Sequence, residues 1–345
     1  MVALSALLPR SAAAQAVWTG ATSSDWMTGT NWSSGTVPAA GEGIEISSTS
    51  PNTTVLGLGG AATVTTANFF IAFGAGTSGK LTIQNGSTIT STGASIRVGQ
   101  GLGSTGILTV TGAGSQWVTT SSPLVVGLAG TGTLNIENGG RVIAQNGVRL
   151  GNNSGSSGTL NISGGGILET TGTTYGSGTR QMNFDNAVVR ALVGTANFFS
   201  GSIDQINIAA GGLTFDTNGF NVKTLGFSGV GGLTKIGAGT FTLGAGSTYT
   251  GATVIQQGTL ALAGPAGSAT DALANSSRVV ANGTFDISAI SGAGSHIKSL
   301  AGTGTVTLGA KDLIITNAND TFAGAINGTG GLTIRSGTQM LSGAR

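Results

Sequence analysis

Few residues of this chain could do chemistry, and each candidate is tied to its surroundings. Gly74, Gly76, Gly79 and Lys80, in GAGTSGKL, approach the phosphate-binding pattern GxxxxGK[ST]. In that pattern backbone amides cradle phosphates and a hydroxyl after the lysine holds a metal ion. Leu81 occupies the hydroxyl position, and the glycines return as Gly101, Gly103 and Gly106 further along. A pattern that recurs this way reads as a repeated turn, so no nucleotide partner is expected.

His296 is the only imidazole, so a serine–histidine–aspartate arrangement would have to be built around it. No GxSxG elbow accompanies it, and His296 reads as a surface residue in the turn GAGSH. Acidic residues are isolated and the glycine–aspartate calcium nonapeptide is absent. No metal, cofactor or catalytic residue is therefore expected. A carbohydrate lyase or hydrolase would need clustered acids and a basic side chain on one face. Asp185 with Arg190, or Asp204 with Asp216, are the pairs that could meet, but scattered solvated charges explain them as well. Ice binding would need threonines in one flat array. The TxT triplets at Thr88/Thr90, Thr109/Thr111 and Thr240/Thr242 fall at different places in their repeats and should not stack.

The elements that would position any such group are much clearer. LTIQNG from Leu81, LTVTGA from Leu108, LNIENG from Leu134 and LNISGG from Leu160 repeat at separations of 27, 26 and 26 residues (108−81, 134−108, 160−134). Repeats of this size, rich in strand formers and glycine, read as coils of a β-solenoid. Each leading leucine and the residue two places on share one strand face: Leu81/Ile83, Leu108/Val110, Leu134/Ile136 and Leu160/Ile162. Asn85-Gly86, Gly112-Ala113, Asn138-Gly139 and Gly164-Gly165 follow, dominated by residues that accept left-handed backbone. Ile89, Val142 and Leu168 mark a second strand; Val98-Gly99, Val126-Gly127 and Leu150-Gly151 end a third. Three strands and three turns make one triangular coil. About twelve coils at strand spacing would form a rod near 60 Å long.

Composition agrees with this reading. The 345 residues include 63 glycines, no cysteine and only 8% charged residues, against about 25% charged in an average protein. The net charge is +2, with 14 basic and 12 acidic residues and no basic run. Nucleic-acid binding and steering to an anionic membrane are thus unsupported. No stretch after the N-terminus approaches the ~20 apolar residues of a membrane helix. Residues 1–16 have the apolar stretch and small-x-small ending (Ala14-Gln15-Ala16) of a secretory signal, but no leading positive charge, so the leader is expected to be incomplete. Residues 17–75 read as an N-terminal cap and first coils. Trp18, Trp26 and Trp32 there should cover the end of the core; a sugar-binding platform is the alternative. Residues 76–230 hold the 26-residue repeats.

From Gly231 the chain runs GGLTKIGAGTFTLGAGSTYTGATVIQQGTLAL to Leu262. Gly231–Lys235, Gly239–Leu243, Thr248–Gly251 and Gly258–Leu262 resemble, piece by piece, the passenger-associated transport repeat of bacterial autotransporters (type V secretion). A poorer copy begins at Gly330, with Ile334 in place of the lysine. Residues 231–345 are thus assigned to transport-repeat coils, ending in mid-repeat, as a fragment or a broken gene product would.

The resemblance implies an all-β, right-handed parallel β-helix carried to or released from a Gram-negative surface. It also implies a partner, a C-terminal outer-membrane β-barrel translocator that this chain does not contain. The expected role is a secreted or surface-displayed stalk or adhesin-like surface facing a host or cell-surface glycan or protein. The repeats would assist secretion and folding. A polysaccharide lyase or hydrolase on the same scaffold is the alternative.

Overall fold

Alternating side chains and frequent positive-φ corners leave this chain one efficient way to bury its leucines, which is to wind. The computed structural model describes residues 15–49, 51–199, 205–244, 246–263 and 271–343. Among these it is a parallel β-solenoid of about 11 turns. Its longest faces are a 17-stranded and an eight-stranded sheet, and every pairing between its strands is parallel. One short 3₁₀ turn, Gly29–Asn31, is the helical content of the described residues, and no helix there is long and apolar enough to cross a membrane.

A central turn shows the plan. The strand Thr131–Glu137 lies in the eight-stranded sheet, and Arg141–Ala144 and Val148–Leu150 follow in the other. The next winding repeats this with Ser157–Ser163, Ile167–Thr170 and Thr173–Tyr175, residue over residue. The leucines at 81, 108, 134 and 160 stand in one vertical row, all fully buried. Met182 and Ile206 continue that row, although neither belongs to the recognisable repeat. A second inward row runs Ile89, Trp117, Val142, Leu168, Val189, Phe215. The core is one continuous cluster from Ala16 to Phe322, uninterrupted at 75/76 or 230/231.

Glycine serves two distinct ends here. At the corners Asn85-Gly86, Asn138-Gly139 and Gly164-Gly165, both residues have positive φ. Gly79, Gly106, Gly132 and Gly158 instead form a vertical row within strands and face inward. A Cβ on Gly132 would overlap the amide nitrogen of Gly127 and the carbonyl oxygen of Val98. The expectation that the GAGTSGK segment is wholly a turn is corrected by this. Gly76 is a turn residue with φ +68°, but Gly79 and Lys80 lie in the strand Ser78–Ile83.

At the N-terminal end Trp18, Trp26 and Trp32 are buried, with ring centroids 5.1 and 4.7 Å apart in edge-to-face contacts. Trp26 stacks on Phe69, which touches Trp117, so the cap joins the core directly. Burial leaves these rings no face for a sugar. Residues 1–14 of the expected leader lie outside the described residues. Gln15–Val17 is a strand paired with Gly43–Glu45, so cleavage after Ala16 would remove two of its three residues.

Candidate functional site

The acid–base candidates are drawn together by strand register. Glu169, Arg190 and Asp216 occupy one row across three adjacent strands. Arg190 Nε donates to Asp216 Oδ2 at 2.8 Å and its Nη1 lies 3.5 Å from Glu169 Oε1. Arg141 Nη2 donates to the same Glu169 oxygen at 2.7 Å. The two carboxylates are nearly buried, while both arginines reach solvent. Asp185, expected as a possible partner of Arg190, instead accepts the Gly211 amide at 2.7 Å. Asp204 lies outside the described residues. Alternating ion pairs of this kind tie successive turns together. Among the described residues no three His, Cys, Asp or Glu side chains converge as metal ligands.

His296 sits in the strand Gly294–Ile297, not in a turn. Its Nδ1 is 2.6 Å from Asp271 Oδ1, and its backbone N–H reaches the same oxygen at 3.3 Å. The pair fastens residue 271 to the strand. Lys80 is exposed on the outer face of the eight-stranded sheet, within a strand and not in a glycine loop. The threonine triplets divide as their spacing indicated. Thr88 and Thr90 pair with Gln116 and Val118 in one sheet, and Thr109 and Thr111 with Asn135 and Glu137 in another.

That outer face carries a ladder no motif announced. Asn183 Nδ2 donates to Asn161 Oδ1 at 2.9 Å, and Asn161 Nδ2 to Asn135 Oδ1 at 2.9 Å. Asn135 continues to Thr109 Oγ1 at 3.3 Å. The asparagine in each LNI copy was the available signal.

The described residues of 231–262 make two strand layers, and several of their glycines sit at close approaches. A Cβ on Gly231 would overlap the carbonyl oxygen of Ala209, and one on Gly239 that of Phe220. Gly251 and Gly258 are similarly crowded by the preceding turn at Gly231 and Gly237. Within this frame Lys235 lies in the inward row, between Phe215 and Ile255, and is fully buried. Its Nζ is 2.7 Å from Gly237 O, 2.9 Å from Ile236 O, 3.0 Å from Gln257 O and 3.1 Å from Thr217 Oγ1. Burial lowers its pKa to about 8, against the opposing pull of Asp216. The Tyr249 hydroxyl, also buried, is 2.6 Å from Thr253 Oγ1, which lies 2.9 Å from Ser276 Oγ. Burial pushes the Tyr249 phenol up.

Residues 233–262 match the family model described as the passenger-associated-transport-repeat. The chain carries a passenger-associated transport repeat. No curated protein and no solved structure matches the chain. On a parallel β-solenoid this transport repeat supports an autotransporter passenger domain. Its pieces now have physical roles. The glycines let one winding settle on the last, Leu233, Phe241, Leu243, Leu260 and Leu262 fill the core, and Lys235, Tyr249 and Thr253 are among its internal polar groups.

Proposed function

We propose that this chain is a secreted or surface-displayed autotransporter passenger that serves as a stalk with an adhesin-like side face. Its transport repeat assists secretion and folding of the passenger. The observation that carries the reading is the transport repeat itself, packed in register with the windings before and after it. Each winding finishes the surface on which the next one forms, so folding can advance as chain emerges from a pore. The partner in translocation is a C-terminal outer-membrane β-barrel. The polar outer face with its Asn135–Asn161–Asn183 ladder is the surface offered to a glycan or protein on another cell.

Deleting residues 233–262 from the gene in its native context tests the reading, with passenger outside the cell measured by immunoblot against total synthesis. We expect a several-fold fall in the external fraction. An unchanged external fraction would remove the secretory role from the repeat. Clear turnover on a panel of pectins and other glycans, with or without calcium, would replace the stalk with an enzyme.

A further inference from the structure

The inward row that is otherwise apolar from Ile89 to Ile255 holds, at Lys235, a group that is charged at neutral pH. A buried ammonium is costly unless oxygen atoms replace its water. The oxygens around Nζ are of a definite origin. Thr217 follows the strand Leu213–Asp216, Ile236 and Gly237 end and follow Leu233–Ile236, and Gln257 follows Thr253–Ile255. Those three strands are neighbours in one sheet. Three corners, one below another, therefore turn an oxygen toward the same point, and three protons are shared among four acceptors at 2.7 to 3.1 Å.

We infer that the transport repeat encloses an internal cation site, built by the corners of three successive turns and filled by the chain's own Lys235 ammonium. Among the described residues the carbonyls of Gly237 and Gln257 have this ammonium as their donor. The site is incomplete until the winding that carries Gln257 has closed, so the lysine couples its own layer to both neighbours. A leucine in this row would make only non-directional apolar contacts with its neighbours, whereas the ammonium needs an oxygen at a fixed place on each. Asp216 is the charged group that faces the site, and its carboxylate is held by Arg190. Lys223, on the strand Val222–Thr224, points outward and is exposed. The weaker copy lacks the device. Ile334 stands at the lysine position, following Ile315 in the register.

Two measurements on the whole chain test the site. In Lys235→Ala the oxygens remain and the stem is gone, so methylammonium or propylammonium chloride should restore part of the lost thermal stability. A rise of about 2 °C or more, saturating with amine concentration, is expected over matched sodium chloride. Wild type and Lys235→Met should show no such rise, since one is already filled and the other fills the stem volume. Equal response of all three proteins, or none in Lys235→Ala, overturns the inference. Should Lys235→Ala not fold, the wild type decides. With ¹⁵N-lysine labelling, one Nζ resonance should be protected from exchange with water near neutral pH and absent from Lys235→Met. Loss of that protection, with every Nζ exchanging freely, refutes the cage. Both readouts follow folding and not export, so their failure leaves the secretory reading standing.

Discussion

Replacing Gly132 by alanine separates the two reasons this chain uses glycine. Gly132 lies in a strand with ordinary backbone angles, so a methyl group there is conformationally acceptable. The obstacle is steric. The new Cβ would overlap Gly127 N and Val98 O and lie 2.9 Å from Val126 C, well inside the 3.4 Å at which ordinary contact begins. All three atoms are backbone, so relief requires two neighbouring windings to move apart. Overpacking of this kind costs about 1–3 kcal/mol and sometimes more. Reduced freedom of the unfolded chain returns about 0.4–1 kcal/mol. The obstructing atoms belong to hydrogen-bonded layers that cannot easily give, so the net loss is expected toward the upper end of that balance, about 2 kcal/mol.

Gly103→Ala is the control. Its φ is +67° and nothing lies within 4 Å of the added carbon. Its cost is the left-handed backbone alone, about 1–2 kcal/mol before the same entropic return. Urea unfolding followed by tryptophan fluorescence compares the two, because the buried Trp117 reports on the central windings. Repeat arrays need not unfold in one step, so amide exchange over residues 124–137 should accompany it. If Gly132→Ala matched wild type, or lost less than Gly103→Ala, the close-approach account of the inward glycine row would be wrong.

Ile136→Asp should lower stability by several kcal/mol by placing an unpaired carboxylate in the inward row between Val110 and Ile162, read as a fall in urea midpoint. An unchanged midpoint would contradict the inward assignment. Stability should also depend on pH through Lys235. Its folded pKa is about 8, against about 10.4 in an unfolded chain. Below pH 8 both states hold the proton; between 8 and 10.4 the unfolded state holds more, so stability rises with pH there, by at most about 3 kcal/mol. Lys235→Met should flatten that rise, and a mutant that kept it would assign it elsewhere. Trp32→Ala should cost about 3–5 kcal/mol, since the ring joins Trp18 to Trp26 and its Nε1 donates to Trp26 O at 2.8 Å. The loss should appear as faster amide exchange in residues 15–56, with little change beyond residue 240.

Much of the winding was legible because a solenoid writes its geometry locally. The separations of 27, 26 and 26 residues set the leucines in one row, and Asn-Gly and Gly-Gly pairs marked corners with positive φ. Side-chain alternation of period two reports which way each residue faces, whatever lies above or below. The same rule explains what stayed hidden. Met182, Ile206 and Phe215 continue the inward rows without resembling the repeat, because a row accepts any apolar side chain of suitable volume.

The candidate site was less readable than the scaffold. The order of segments identified the transport repeat, and alternation from Leu233 sets Lys235 on the same face, yet the usual exposure of lysine spoke against an inward side chain. Only the stacked register brings Thr217, Gly237 and Gln257 to one nitrogen, from positions 18, 2 and 22 residues away. Likewise Arg190 took Asp216 and Glu169 as partners, 26 and 21 residues distant, and left the nearer Asp185 to a backbone amide. Sequence alone settled the period, the corners and the facing of most side chains, since those depend on neighbours within a few residues. Which polar groups meet was decided by the vertical stacking of whole turns, because hydrogen bonds and ion pairs act across windings at distances no local pattern encodes.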